Sequence, residues 1–213
     1  MRRSVRSLGA LLVVGGVALV AWAGVTWAWG DPFTSLYTKR EQGRLADRYE
    51  RNVEAFRGSA RIVSNGTADV TAAARRYRAG LKTGDPVGRL RVPRLGVNMV
   101  VVQGTGTEPL KKGPGHYDGS FLPGQGELIY VAGHRTTYGA PFARIDSLRP
   151  GDKVVFEVPY GRFEYRVTGH RIVDATAVGV LRSRGREEIA LQACHPRFFA
   201  SQRYIVYARP IDR

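Results

Sequence analysis

Cysteine is almost missing from this chain: Cys194 stands alone among 213 residues. No disulfide can close within it, so the fold holds without covalent staples, and a domain of about 130 residues buries enough apolar surface for that. A lone cysteine is either a small buried hydrophobe or a thiol kept for its reactivity, and the count alone favours the first. Acidic residues are scarce as well, 18 against 33 Lys and Arg, for a net charge of +15. The excess is spread along the chain: residues 1–80 carry 13 basic and 6 acidic residues, net +7, and residues 81–213 carry 20 and 12, net +8. Nucleic-acid binders gather their basic charge into a stripe. This pattern argues against a nucleic-acid partner and fits a solvated surface facing anionic lipid or wall polymer. The sequence has no internal repeat, no P-loop and no dinucleotide-type glycine fingerprint.

Charge is absent altogether from Leu8 to Trp29, LGALLVVGGVALVAWAGVTWAW. At about 1.5 Å per residue that run spans roughly 33 Å as a helix, enough to cross a bilayer core. Arg2, Arg3 and Arg6 precede it, which by the positive-inside rule keeps residues 1–7 in the cytoplasm and delivers the rest of the chain outside. All three tryptophans, Trp22, Trp27 and Trp29, lie toward the outer end, where an aromatic belt is expected. A cleaved signal peptide has a shorter apolar region, and the small-residue sites near Ala21–Gly24 sit inside this one, so residues 8–29 read as an uncleaved signal anchor.

Residues 30–84 read as an extracytoplasmic stalk or linker. Leu36 to Arg57 is charged and helix-compatible, Ser59 to Thr71 is looser with Asn65-Gly66 as a turn signal, and Thr71 to Leu81 suits another short helix. From residue 85 to 213 the pattern changes to short β-rich runs. Gly88–Val92, Val97–Gln103, Gly126–Ala132, Lys153–Val158, Arg162–Asp174, Glu188–Cys194 and Arg203–Ala208 are credible strands. Turn signals separate them at Pro93-Arg94, Gly113-Pro114-Gly115, Pro123-Gly124, Pro150-Gly151-Asp152 and Tyr160-Gly161, the last marking a hairpin. One short helix is expected at Pro141–Leu148. Seven or more short strands with turns between them argue for a closed or nearly closed β-barrel.

Three segments place polar groups at strand ends, where a rigid scaffold presents chemistry to solvent. An apolar strand ends in Val131-Ala132-Gly133-His134-Arg135, another in Ile189-Ala190-Leu191-Gln192-Ala193-Cys194-His195-Pro196, and a third opens at Arg203-Tyr204-Ile205-Val206. Taken singly, His134 suits a hydrogen-bonded rim histidine, Cys194 inert packing and Arg203 one more surface charge. His195 adjoins the cysteine, but neighbours on a strand point to opposite faces, so it is poorly placed to reach the thiol. His116 and His170 read as structural. No metal cluster and no acidic calcium loop is expected.

Taken together, the three segments resemble the sortase family, whose members carry a strand-end histidine in an A-G-H context, a cysteine closing a strand in T-L-x-T-C and an arginine on the next strand. The matching pieces here are Ala132-Gly133-His134, Leu191-Gln192-Ala193-Cys194 and Arg203-Tyr204-Ile205-Val206, supported by Gly113-Pro114-Gly115-His116-Tyr117, Pro123-Gly124, Ala140-Pro141-Phe142 and Gly151-Asp152. The resemblance covers residues 85–210 in order. Both threonines of the cysteine motif are alanine here, Ala190 and Ala193. The run Gly133 to Gly139 and the Cys194-His195-Pro196 ending look most like class E, the housekeeping type of high-GC Gram-positive bacteria.

That resemblance implies a mainly β fold, a closed eight-stranded sortase-type barrel with one or two short helices, behind a transmembrane helix and a partly helical stalk. It implies a cysteine transpeptidase acting on secreted proteins that bear a C-terminal L-P-x-T-G or L-A-x-T-G signal, cut between Thr and Gly. Cys194 would be the nucleophile, His134 the general acid/base and Arg203 the stabiliser of the oxyanion or of a substrate carbonyl. Tyr117, Leu191 and Ala193 would contact substrate. An amine from a peptidoglycan precursor or a pilin would resolve the thioester, and no cofactor is implied. Cysteine L,D-transpeptidases place histidine a few residues before the cysteine in S-H-G-C, a context absent here, and the papain motif C-G-S-C-W is absent as well. The remaining alternative is a catalytically degenerate, membrane-tethered scaffold on the same barrel.

Overall fold

The computed structural model describes residues 2–29, 32–59 and 67–211. Three helices come first: α1 (Arg2–Trp29), α2 (Pro32–Ser59) and α3 (Thr67–Gly80). Eight strands follow: β1 (Pro86–Val92), β2 (Val97–Gln103), β3 (Gly115–His116), β4 (Leu128–Ala132), β5 (Lys153–Val158), β6 (Gly161–Asp174), β7 (Glu188–His195) and β8 (Gln202–Pro210). They close into a barrel in the order β1-β2-β3-β4-β7-β8-β6-β5. The β2–β3 and β4–β7 pairs are parallel and the others antiparallel. Parallel neighbours need a crossover. A short helix, α4 (Thr107–Lys112), supplies the first of these, and the β5–β6 hairpin lies within the second.

Alternation along the strands sorts the side chains into two faces. Val97 and Val101 of β2, Ile129 and Val131 of β4, Ile189, Leu191 and Ala193 of β7, and Tyr204, Val206 and Ala208 of β8 point into the barrel, where they meet Phe142, Phe156 and Tyr165. The residues between them point out. Leu128, Tyr130, Ala190, Ile205 and Tyr207 form a second apolar cluster on the outer face.

The segment expected as a stalk lies against the barrel. On α2 the residues Thr38, Gln42, Leu45, Tyr49 and Val53 recur at helical spacing. Leu45, Tyr49 and Val53 are buried against Val100 and Val102 on the outside of β2. Each such side chain taken from water contributes about 1.5–3 kcal/mol. Gln42 extends the ladder beyond β2: its Nε2 donates to the Val100 carbonyl at 2.9 Å, and its Oε1 accepts from the Val100 N–H at 2.7 Å. The same Nε2 donates to the Lys112 carbonyl at 2.8 Å. On α3, Tyr77 enters the main core, and its hydroxyl meets the Pro86 and Val87 carbonyls at 3.0 Å each.

Two local expectations are corrected. Over Pro141–Leu148 the chain forms turns and a single 3-10 turn at Ile145–Ser147, not a helix. Ala140 sits at φ 38 and the Phe142 N–H bonds the His134 carbonyl at 3.1 Å, so the segment closes a loop instead of propagating. Gly115, read as part of a turn, opens β3; a Cβ there would run into the Gly104 carbonyl and Leu110. The Asn65-Gly66 turn signal and the side chains of Trp27 and Trp29 lie outside the described residues. Within α1, Arg6–Gly24 is long and apolar enough to cross a membrane; its large apolar side chains are exposed, and the Trp22 ring meets that of Phe33 of α2 at 5.7 Å.

Candidate active site

The site is built by strand register. β4 and β7 run in parallel register from Leu128↔Glu188 to Ala132↔Gln192, and one more backbone bond joins Gly133 N–H to the Gln192 carbonyl at 2.9 Å. His134 and Cys194 each lie two residues beyond the last registered pair, at matching ends of adjacent strands. On the other side of β7, Cys194 stands directly opposite Arg203 of β8. Directly opposed residues share a face, with Cβ atoms about 4.5–5.5 Å apart. Cys194 is in phase with Ala190, and Arg203 with Ile205 and Tyr207, so both emerge on the outer face of the barrel. His134 continues the phase of Leu128 and Tyr130. Strand register therefore puts the three residues singled out in the sequence at the same end of one sheet.

Cys194 carries a free, partly exposed thiol. His134 is half-buried, and burial holds its imidazole below the usual histidine pKa, which leaves it neutral and able to take a proton at neutral pH. The Arg203 guanidinium is held at the mouth of β8 by Nη1, which donates to the Ala200 carbonyl at 2.7 Å and the Gln202 carbonyl at 2.9 Å. Chemically the arrangement offers a thiol, an imidazole and a permanent cation at one end of the sheet, groups suited to nucleophilic attack, proton transfer and charge stabilisation.

The substrate-contact expectations divide. Tyr117 is partly exposed and packs edge-on to Tyr130 at 6.3 Å on the outer face, beside the row leading to Cys194. Leu191 and Ala193 do not reach that face: both are 0% exposed and point into the barrel. Alternation sends the residue just before Cys194, and the one three before it, inward, so the expectation that they touch substrate is corrected. His195 also takes the inner phase. Its Nδ1 receives a hydrogen bond from Arg135 at 2.9 Å and its ring lies 5.8 Å from that of Tyr204. His116 is fully buried, held by Gln103, Ser120 and the Phe121 carbonyl, and His170 stacks on Tyr204 at 4.9 Å. Among the described residues no group of three His, Cys, Asp or Glu side chains comes together to hold a metal ion.

Three contacts around His134 have no counterpart in the sequence reading. The Tyr138 ring lies 5.1 Å from the His134 ring, tilted by 37°. Tyr138 adopts φ 52, and its N–H donates to Thr34 Oγ1 of α2 at 2.9 Å. Tyr37 meets Tyr138 edge-on at 6.4 Å. Arg135, the residue after His134, is 5% exposed and turns inward. For Arg135 the only signal was its place beside a histidine; for Thr34 and Tyr37, about 100 residues away in sequence, there was none.

A family model for the sortase domain matches residues 90–211. Sortase D of Bacillus subtilis (strain 168) is 32% identical over 134 residues, covering 61% of this chain and 66% of that protein, just under two thirds of its length. Sortase A of Bacillus anthracis is 26% identical over 202 residues, covering 92% of this chain and 89% of the relative. Among solved structures, sortase E from Streptomyces avermitilis is 38% identical, covers 62% of this chain and 91% of that one, and superposes with a TM-score of 0.55.

Proposed function

The chain belongs to the sortase family, and from that premise we propose that it is a membrane-anchored cysteine transpeptidase that joins secreted proteins to an amine acceptor. One observation carries the reading: Cys194 and Arg203 face each other across β7 and β8, with His134 at the matching end of β4. Members of this family are cysteine transpeptidases. The finer reading is that the substrate presents a C-terminal L-A-x-T-G or L-P-x-T-G signal. Cys194 Sγ attacks the Thr carbonyl, the C–N bond to Gly breaks, and a thioester forms. His134 takes the thiol proton and passes it to the departing Gly amine. Arg203 stabilises the charge on the carbonyl oxygen. An incoming amine, from a peptidoglycan precursor or a pilin, then reverses these steps and frees the thiol.

The remaining assignments belong to the same proposal. Residues 1–7 are cytoplasmic, 8–29 a single-pass anchor, 30–84 the extracytoplasmic connection and 85–213 the catalytic barrel. The exposed apolar surface of α1 and the arginines before it support that topology. Class E is supported by the 38% identity to sortase E, while other relatives carry the letters D and A. Tyr117 is the residue we place on the substrate.

The test uses the full chain in detergent micelles with an L-A-x-T-G peptide and triglycine. Mass spectrometry should find cleavage after Thr, an acyl adduct on Cys194 and a triglycine-extended product, all lost in Cys194→Ala. A folded protein with a reactive thiol that forms no adduct with either signal peptide would overturn the reading.

A further inference from the structure

The parallel ladder between β4 and β7 stops one rung short of the active site. Gly133 N–H reaches the Gln192 carbonyl at 2.9 Å, and in a parallel pair the next bond donated from the β4 side would run from the Arg135 N–H to the Cys194 carbonyl. Arg135 fills that place with its side chain. Nη1 donates to the Cys194 carbonyl at 3.3 Å and to His195 Nδ1 at 2.9 Å, and Nη2 meets Asp146 Oδ2 at 2.7 Å. The guanidinium also lies 5.9 Å from the centre of the Tyr204 ring. It is 5% exposed, and its Nε is buried with no hydrogen-bond partner. Arginine has only donors, so His195 Nδ1 accepts, which fixes that ring as the Nε2–H tautomer.

We propose that Arg135 is a positioning residue for the transpeptidase reaction: its guanidinium clamps the segment carrying His134 to the segment carrying Cys194 and so sets the separation of imidazole and thiol. The clamp has three arms: the Cys194 carbonyl, His195, and Asp146 in the 3-10 turn that closes the His134 loop. Arg135 is covalently next to His134, so a shift of its head moves the imidazole directly. Arg135 sits on the inner side of the sheet and touches no substrate; it acts through the two residues that do. His195 has a matching part, as the acceptor that orients the guanidinium. A lysine at this position keeps the charge, but its three donors sit on one nitrogen and cannot span the separate directions that the arginine fork covers.

The inference rests on the proposed transpeptidase reading, and its test separates the two. Arg135→Lys and Arg135→Met are made in the full chain, and folding is checked by near-UV circular dichroism and thermal melting. The first readout needs no substrate: the rate of Cys194 alkylation by iodoacetamide against pH. It follows the thiol–imidazole pair even if the signal peptide is the wrong one. The second is kcat and KM for the signal peptide. A misplacement on the order of 1 Å costs up to about a hundredfold in rate. The expected result is a kcat reduced by roughly tenfold or more in Arg135→Lys with KM within about threefold of wild type, and an altered alkylation profile in both variants. If Arg135→Met fails to fold, Arg135→Lys decides alone. A folded Arg135→Lys whose alkylation profile coincides with wild type overturns the proposal, as does an unchanged kcat. A wild type that turns over no peptide counts against the functional reading only, because the alkylation profile still judges the clamp.

Discussion

Gly133 is the residue whose replacement tests the architecture of the site most directly. It ends the β4 ladder, precedes His134, and its backbone needs no left-handed angle. The reason for glycine is space. A Cβ at this position would lie 2.6 and 2.8 Å from two atoms of the Phe142 ring and 3.1 Å from Pro141 Cγ. Phe142 is 0% exposed in the main core, so its ring has no free volume to retreat into. The Phe142 N–H bonds the His134 carbonyl at 3.1 Å, so pushing the ring away pulls on the histidine. Overpacking of this kind costs about 1–3 kcal/mol. For a chain of this size each kcal/mol moves Tm by about 2–4 °C, so Gly133→Ala should melt roughly 2–12 °C below wild type. Displacement of His134 by a few tenths of an ångström to 1 Å should lower turnover by about ten- to a hundredfold. Phe142→Leu trims the obstructing ring, so the double variant should recover part of both losses, with a coupling of about 0.5–3 kcal/mol. Differential scanning fluorimetry and peptide turnover measure both. The reasoning fails if Gly133→Ala melts within about 1 °C of wild type, or if the two substitutions prove additive.

Other predictions follow from contacts already described. Burial holds His134 below its ordinary pKa, so the unfolded chain takes up a proton at higher pH than the fold does. The stabilising contribution is present above the unfolded value and is lost as pH falls through the folded one. Urea midpoints at pH 7.5 and 5 should therefore fall less in His134→Asn than in wild type; an equal fall would refute the shift. Gln42→Ala strips both backbone groups of Val100 of their α2 partner, and should cost about 1–3 kcal/mol in urea unfolding. Arg203→Lys keeps the charge and loses the donor fork, and on the proposed mechanism should lower kcat by about 10²–10³-fold with thermal stability little changed. A lysine variant with wild-type kcat would remove Arg203 from the transition state.

Much of the barrel could be read from the sequence because its signals are local. Alternating apolar runs and the turns between them placed seven of the strands within a few residues of where they lie. The eighth, β3, is only Gly115–His116, too short to carry a period of its own. The two alanines that depart from the family motif have a plain physical setting: Ala190 is packed in the outer cluster and Ala193 in the inner core, both 0% exposed. Leu191 and Ala193 were misplaced because motif membership says nothing about which face a residue takes, whereas alternation from Cys194 does. The α2 stripe of Thr38, Gln42, Leu45, Tyr49 and Val53 was present in the sequence. Charges at Lys39, Arg40, Glu41, Arg44, Asp47, Arg48, Glu50 and Arg51 diluted it, and only the β2 surface shows that it has a partner. The clamp through Arg135 joins positions 135, 146, 194 and 195 and depends on a loop geometry that no local pattern encodes.

The α2 contacts also set a distance that bears on how the proposed transpeptidase would meet its substrate. Thr34 accepts the Tyr138 N–H at 2.9 Å, so the His134 loop is tied to the third residue of α2. From the end of α1 at Trp29 to Thr34 is five residues, a span of no more than about 18 Å. On the proposed topology, in which the apolar span Arg6–Gly24 crosses the bilayer, the candidate site would be held close to the outer interface. A substrate whose own tail is still in the membrane would then meet the site at high effective concentration. A ten-residue Gly-Ser insertion between Gly30 and Asp31 adds an r.m.s. reach of about 17 Å and releases that constraint. Turnover of a soluble signal peptide should be unchanged by the insertion, because every contact from Thr34 onward is kept. Turnover of a membrane-tethered substrate in the same vesicles should fall several-fold, roughly as the −3/2 power of the connecting length. Equal rates on the tethered substrate with and without the insertion would show that the α2 tie fixes the His134 loop and nothing more.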